Sequence, residues 1–291
     1  MRSSAGRLFR TAGVLAHENP LGLPRAGTPP NWPKKSMKRK IPGVDKVIAV
    51  SSAKGGVGKS TVAAFARLGF RAGILDTDIF GPSIPTLFNL SGEPRLSKNN
   101  QLVPLTNYGV KTMSMGYLVG ESAPVVWRGP MVMKAIQQLL HEVDWGGLDV
   151  LVLDLPPGTG DTQLTITQQV ILDGSVIITT PHTLATKDAV KGINMFKAVN
   201  VDILGLVQNM SLFTCPHCNE GTHVFGSNER VERMCSEHSI EFLGDIPLHP
   251  NIGDHAEHGK PTVVAEPESE RAAAFLNIAK GIVPKIEMQE R

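Results

Sequence analysis

The run Lys46-Val-Ile-Ala-Val-Ser-Ser-Ala-Lys-Gly-Gly-Val-Gly-Lys-Ser-Thr61 limits what this chain can fold into more than any other stretch. Val47 to Val50 is apolar and β-branched, which predicts a buried strand. A glycine loop follows, made of Ala53, Lys54, Gly55, Gly56, Val57, Gly58, Lys59, Ser60 and Thr61, and then an Ala-rich segment that predicts a helix. Strand, glycine loop, Lys-Ser/Thr and helix is the context in which backbone N–H groups turn inward around phosphate oxygens. Lys59 would reach the outer phosphates, and the Ser60 hydroxyl would sit on Mg²⁺. The helix N-terminus adds partial positive charge. The alternative is a Gly-rich turn with a solvated lysine, and the flanking strand and helix weigh against it.

The 291 residues are 41% apolar with few aromatics, enough for a packed α/β core. No run of eighteen apolar residues occurs, so no spanning helix is expected. The formal charge of +2 hides an asymmetry: residues 1–40 hold nine Lys/Arg and one acid, Glu18, leaving 20 Lys/Arg against 26 Asp/Glu elsewhere. The basic, Arg/Ser-rich, acid-poor start has the composition of a mitochondrial transit peptide, with a disordered basic tail as the alternative. Pro20, Pro24, Pro29, Pro30 and Pro33 add to the expectation that residues 1–35 are a disordered presequence and 36–291 the folded domain. That places the mature protein in the mitochondrial matrix. No nucleic-acid partner is expected, and at most peripheral membrane contact.

Strand patterns at 72–75, 150–153, 175–180, 203–207 and 240–246 alternate with helix patterns at 61–68, 131–143, 186–199, 227–237 and 271–283. A short hairpin is expected in 101–116, and an irregular insertion at 210–226. This alternation predicts an α/β fold with a doubly wound, mostly parallel sheet covered on both faces. In such sheets ligands bind beyond the carboxyl ends of the strands. Asp154 ends the apolar run Val150 to Leu153, where a Walker B carboxylate holds Mg²⁺. Asp76 and Asp78 end another strand at the same edge. One of them is expected to polarise the attacking water or orient a metal-bound water, with a capping or turn role as the alternative for either. Asp161 has a similar capping alternative. The loops Gly81-Pro-Ser and Pro156-Pro-Gly-Thr-Gly160 read as switch segments.

Cys215-Pro-His-Cys218 puts two thiols two residues apart. Three uses fit: half a Zn²⁺ site completed by His217 and His223, a redox pair, or half the ligand set of an iron–sulfur cluster. The redox reading lacks the usual helix N-terminus after a first strand. Cys235, without a nearby cysteine, reads as a core or surface thiol.

Several motifs recur in one order: Ala53 to Thr61, Asp76-Thr-Asp-Ile-Phe-Gly-Pro-Ser83, Val126-Trp-Arg-Gly-Pro-Met131, Asp154-Leu-Pro-Pro-Gly-Thr-Gly-Asp161, Val207-Gln-Asn-Met210, the Cys pair, and Gly244-Asp-Ile-Pro-Leu248. Together they resemble the Mrp/ApbC/NUBP family of P-loop ATPases over about residues 40–285. With the basic arm, the likeness is strongest to its mitochondrial NUBPL-type branch, which serves respiratory complex I assembly. The second lysine, Lys54, makes the loop a deviant Walker A motif of the nitrogenase-iron-protein/MinD class. That class implies a nucleotide-sandwiched homodimer in which Lys54 crosses to the partner's phosphates. The resemblance further implies ATP with Mg²⁺, slow hydrolysis, Asp78 rather than Asp76 as the water-handling carboxylate, and Asn209 on adenine. It implies a [4Fe–4S] cluster bridging the Cys215/Cys218 pairs of a dimer. The recipients would be apo iron–sulfur proteins, complex I subunits among them. A MinD/ParA-like nucleotide switch and a zinc-binding interaction protein are the competing functions. The first usually carries a basic amphipathic tail, whereas this chain ends Val283-Pro-Lys-Ile-Glu-Met-Gln-Glu-Arg291.

One spacing departs from the resembled pattern. Asp76 lies seventeen positions after Lys59, about five fewer than usual, which predicts a first helix of roughly nine residues, about 13 Å long. The strand can still form, but poor packing beside the nucleotide is expected; a splicing or gene-model loss is the simplest explanation, and a genuine gap puts activity and stability in doubt.

Overall fold

The strands that form the sheet's centre are the ones whose sequences are apolar on both faces. The computed structural model describes residues 38–52, 58–78, 81–118, 129–158 and 160–289, within a compact unit Met37–Arg291. The expected presequence, residues 1–35, lies outside the described residues, as do Ala53 to Val57, Ile79, Phe80, Val126 to Arg128 and Thr159. In chain order the strands are β1 (Val44–Ser52), β2 (Ala72–Asp76), β3 (Leu105–Asn107), β4 (Val110–Ser114), β5 (Leu148–Asp154), β6 (Gly174–Thr179), β7 (Ile203–Thr214), β8 (Gly221–Thr222) and β9 (Phe242–Leu248). The helices are α1 (Gly58–Arg67), α2 (Ile84–Leu87), α3 (Gly129–His141), α4 (Asp161–Gln169), α5 (Thr183–Ala198), α6 (Glu229–His238), α7 (Pro250–Glu257), α8 (Thr262–Ala265) and α9 (Glu270–Ile282).

The sheet runs β3-β4-β2-β5-β1-β6-β7-β8, with β9 also paired to β7. Every pairing from β4 across to β9 is parallel, and β3 and β8 are the antiparallel additions. Every residue of β2, β5 and β6 is buried. That explains their continuous apolar sequences, since a parallel sheet is covered on both faces. The chain moves from β1 outward to β2 and β4, returns to β5, then crosses β1 to β6. The order therefore reverses around β1, the strand that feeds the glycine loop.

The short β1–β2 crossover closes without loss of packing, contrary to the expectation from its spacing. α1 has ten residues, about 15 Å, and β2 has five, about 17 Å, so helix and strand match in length. Gly69 takes φ +89° behind the helix, while Phe70 N–H reaches back to Phe65 O at 3.2 Å. Val62, Ala63, Ala64 and Phe65 are all at most 1% exposed. The helix is sandwiched between the sheet and the pair α8 and α9, so its apolar residues find partners on more than one side. β2 keeps an unbroken register from Ala72 to Asp76 against both β4 and β5.

Three further differences stand out. The hairpin expected in 101–116 forms as β3 and β4, and β4 also joins the main sheet beside β2. Residues 210–226 are more regular than expected: β7 continues to Thr214 and folds back through β8 as a hairpin. Beyond α9, Val283 and Ile286 are each 2% exposed, so the apolar residues of the tail belong to the core.

Candidate nucleotide edge and cysteine knuckle

The carboxyl ends of β1, β2, β5, β6 and β7 form one edge. Val50 pairs with Asp154 and Ser52 with Ile178, so the glycine loop leaves the sheet between β5 and β6. Gly58, Lys59 and Ser60 open α1, which puts a helix N-terminus behind that loop. Asp76 and Asp154 are register partners on neighbouring strands. Thr77 ties the two ends together: its N–H and Oγ1 both donate to Asp154 O, at 3.1 and 2.7 Å. Asp154 itself is buried.

The two carboxylates that sequence reasoning left as alternatives have different surroundings. Asp76 is wholly buried and accepts from Asp78 N–H at 3.0 Å, Ser83 N–H at 3.0 Å, Ile84 N–H at 3.3 Å and Ser114 Oγ at 3.3 Å. It gathers Asp78, Ser83 and Ile84 around one carboxylate and so holds Asp78 in place. Asp78 is partly exposed at the edge, with Oδ1 accepting from Gly81 N–H at 3.3 Å. Removing Asp76 strands several buried donors, each worth about 1–3 kcal/mol. Asp76→Ala is therefore expected to lower the unfolding free energy by roughly 2–4 kcal/mol. Urea denaturation measures this, and an unchanged midpoint would deny Asp76 its organising role.

The loop after β5 is held by a residue that sequence reasoning missed. Gln163, 1% exposed in α4, donates through Nε2 to Pro156 O, while its Oε1 has no hydrogen-bond partner among the described residues. The only sequence signal was its position in the helix following the Pro-Gly loop. Gly160 takes the N-cap of α4, so Asp161 is the first helical residue and does not itself occupy the cap.

Asn209 lies on β7 just past the last β6–β7 pair, Thr179 with Gln208. Its Oδ1 accepts from Met210 N–H at 2.8 Å, where the backbone turns left-handed at φ +55°. Its amide NH₂ makes no hydrogen bond among the described residues, and the residue is half-buried. Gln208, fully buried, donates to Asn228 Oδ1 at 2.7 Å. That bond closes the neck from which the segment 209–227 projects.

β7 outruns its neighbours and carries Cys215 and Cys218 past the nucleotide edge. Its distal part is fixed by Ser211, whose Oγ donates to Asp245 Oδ2 at 2.5 Å. The two cysteines sit on the turn between β7 and β8, closed by Cys215 N–H to Glu220 O at 3.0 Å and Asn219 N–H to Cys215 O at 2.9 Å. Backbone N–H groups of Cys218 and His217, and the Cys218 thiol, donate to Cys215 Sγ and hold its pKa below the ordinary thiol range. Its thiolate persists at lower pH as a result. Alkylation of Cys215 by iodoacetamide is thus expected to titrate below the free-cysteine value of about 8.5, followed by mass spectrometry across pH. A midpoint above that value would show that the donors do not act on the thiolate.

His223 Nδ1 is engaged with Ser211 O at 3.0 Å, and no group of three or more His, Cys, Asp or Glu suited to a metal occurs among the described residues. Cys235 is buried in α6, and burial followed by nearby Glu232 pushes its thiol pKa up.

Comparison with known proteins agrees with this arrangement. A family model described as ParA, NUBPL iron-transfer P-loop NTPase, matches residues 43–283. The chain is 52% identical over 255 residues to the iron-sulfur cluster transfer protein NUBPL of Dictyostelium discoideum, covering 85% of this chain and 79% of that one. It is 45% identical over 255 residues to an Arabidopsis thaliana iron-sulfur protein required for NADH dehydrogenase, mitochondrial, covering 86% and 81%. Among solved structures it resembles a nucleotide-binding protein from Archaeoglobus fulgidus in complex with ADP, at 37% identity and TM-score 0.67, covering 81% of this chain and 94% of that one. The cell division ATPase MinD of Pyrococcus furiosus, at 20% identity and TM-score 0.58 over 81% and 98% of the two chains, shares the fold.

Proposed function

Because the chain belongs to the ParA family of P-loop NTPases in its NUBPL iron-transfer form, we propose that it is an ATP-dependent carrier that holds a [4Fe–4S] cluster between two copies of itself and delivers it to apoproteins. Nucleotide binding and iron–sulfur cluster transfer are the functions of this family, and the chain has the residues for both. The observation that carries the reading is the Cys215–Cys218 knuckle, mounted on a strand that runs past the edge where the glycine loop emerges.

The cluster is cargo. A cubane takes four ligands, usually thiolates. One chain presents two on one turn, and a two-fold axis doubles them through one isologous contact. Lys59 and the backbone of residues 53–58 would hold the phosphates of ATP, Ser60 and Asp154 the Mg²⁺, and Asn209 the adenine through its undirected amide. Lys54 would reach the partner's phosphates. Asp78, held by the Asp76 loop, would orient the attacking water for slow hydrolysis. The ATP state would then bear on the separation of the two knuckles, because nucleotide loops and cysteines share the same edge. Anaerobic reconstitution tests the reading: about four irons and four sulfides per two chains, released to an apo iron–sulfur acceptor faster with ATP than without. Tight zinc with no iron uptake, or a full cluster on a monomer, would sink it.

The basic arm, together with a relative named as mitochondrial and required for NADH dehydrogenase, supports delivery to complex I subunits in the mitochondrial matrix. Residues 1–40 fused to a fluorescent reporter are expected to send it to mitochondria. A reporter left in the cytosol would remove this assignment.

A further inference from the structure

Gln163 uses only half of its side chain. It is 1% exposed in the first turn of α4, and Nε2 donates to Pro156 O while Oε1 has no hydrogen-bond partner among the described residues. Turning the amide over does not help, since Oε1 would then face Pro156 O, one acceptor against another. A buried acceptor left unpaired costs stability, and an apolar side chain of similar size would fill the same space without that cost. Packing alone therefore does not ask for an amide here.

The surroundings show what the second oxygen can take. Leu155 N–H donates to Val50 O at 3.0 Å, which fixes the chain just past Asp154, and the Gln163 bond to Pro156 O is the next hold. Pro156 and Pro157 have no N–H to offer. Gly160 is the N-cap of α4, no side chain caps the helix, and Gln163 stands third in it. A glutamine at that position is the one that reaches back to the N-cap N–H in a capping box. The turn also has room to shift. Gly158, at φ +97°, and Gly160 have nothing among the described residues within 4 Å of the point where a Cβ would stand. Gly158 borders a cavity of about 220 Å³ whose walls include Ser51 and Ser52, at the end of β1, and Gly192 of α5.

We propose that Gln163 is the positioning residue of the turn after β5 when ATP is bound: Nε2 keeps Pro156 O, and Oε1 takes the Gly160 N–H as the turn settles against the phosphates. The proposal rests on the nucleotide reading of this edge and not on the iron–sulfur cargo. In this role Gln163 acts through the backbone of the turn and not on the nucleotide itself.

The experiment compares the full chain with its Gln163→Met variant, which keeps the volume of the side chain and removes both polar ends. Urea denaturation, isothermal titration with ATP and Mg²⁺, steady-state phosphate release, and deuterium exchange of the peptide from Leu155 to Thr165 are measured on both. In the parent, ATP is expected to slow exchange in that peptide. In Gln163→Met the slowing is lost and kcat falls about tenfold, the worth of one hydrogen bond, while KM and ATP affinity stay within about twofold. The urea midpoint stays at or above the parent's, because the unpaired acceptor is gone. A merely structural glutamine would give the opposite pattern, a lower midpoint with kcat unchanged per folded molecule. That pattern would overturn the proposal, as would equal ATP-dependent slowing in the two proteins. A parent that binds ATP with no slowing in the peptide would also overturn it, and this result needs no variant. A parent that binds no ATP would remove the nucleotide reading itself, and the proposal with it.

Discussion

Cys215→Ala and Cys218→Ala each abolish cluster loading after anaerobic reconstitution, while Cys235→Ala retains it. The expectation follows from ligand number. Two knuckles give four thiolates, and deleting one cysteine per chain leaves two, too few for a cubane. The loss reports ligation and not unfolding, because the knuckle is a hairpin tip with Cys218 exposed and Cys215 only half-buried. Thermal unfolding of these variants should stay close to that of the parent. Cys235→Ala is the opposite case: it removes a buried sulfur from α6, lowering stability slightly and leaving iron binding intact. Iron, sulfide and zinc analysis beside the visible charge-transfer absorption separates the outcomes. A cluster that survives in Cys215→Ala would place the ligands elsewhere on the chain.

Lys59→Ala is the second large effect. The phosphate oxygens of ATP lose their nearest point charge in a site otherwise built from backbone N–H groups, so affinity should fall by about 100-fold or more, which corresponds to about 2.7 kcal/mol. Lys54→Ala should leave binding by one chain largely intact and remove hydrolysis, because its proposed contact is across the dimer. Isothermal titration with ATP and a phosphate-release assay distinguish the two. Equal loss of affinity in both variants would count against the trans role of Lys54. Because α1 packs through Val62 to Phe65, residues beyond the lysine, neither substitution should disturb the β1–β2 crossover.

The glycine loop was legible because its chemistry is local: consecutive glycines, a lysine and a hydroxyl residue must follow a strand directly for their backbone to enclose phosphate. The parallel sheet was legible for a similar reason, since β5 and β6 are apolar at every position and a doubly covered strand needs no alternation. Asp154 followed from standing at the end of such a run. The division of labour between Asp76 and Asp78 did not. The two carboxylates lie two residues apart at the end of one strand, and only the return of the loop from Ser83 and Ile84, with Ser114 from β4, makes Asp76 the buried anchor. The full length of β7 was hidden too. Gln208 to Thr214 mixes polar and apolar residues without a period, and its strand form depends on pairing with β8 and β9 and on the Ser211–Asp245 bond. The short crossover was misjudged from spacing alone, because a helix of fixed rise matches its strand only when the strand's own length is known. Motifs whose function depends on backbone geometry within a few residues can be read along the chain. Roles set by partners seven to nearly forty residues away, as those of Asp76 and Ser211 are, come into being when the sheet edge brings those partners together.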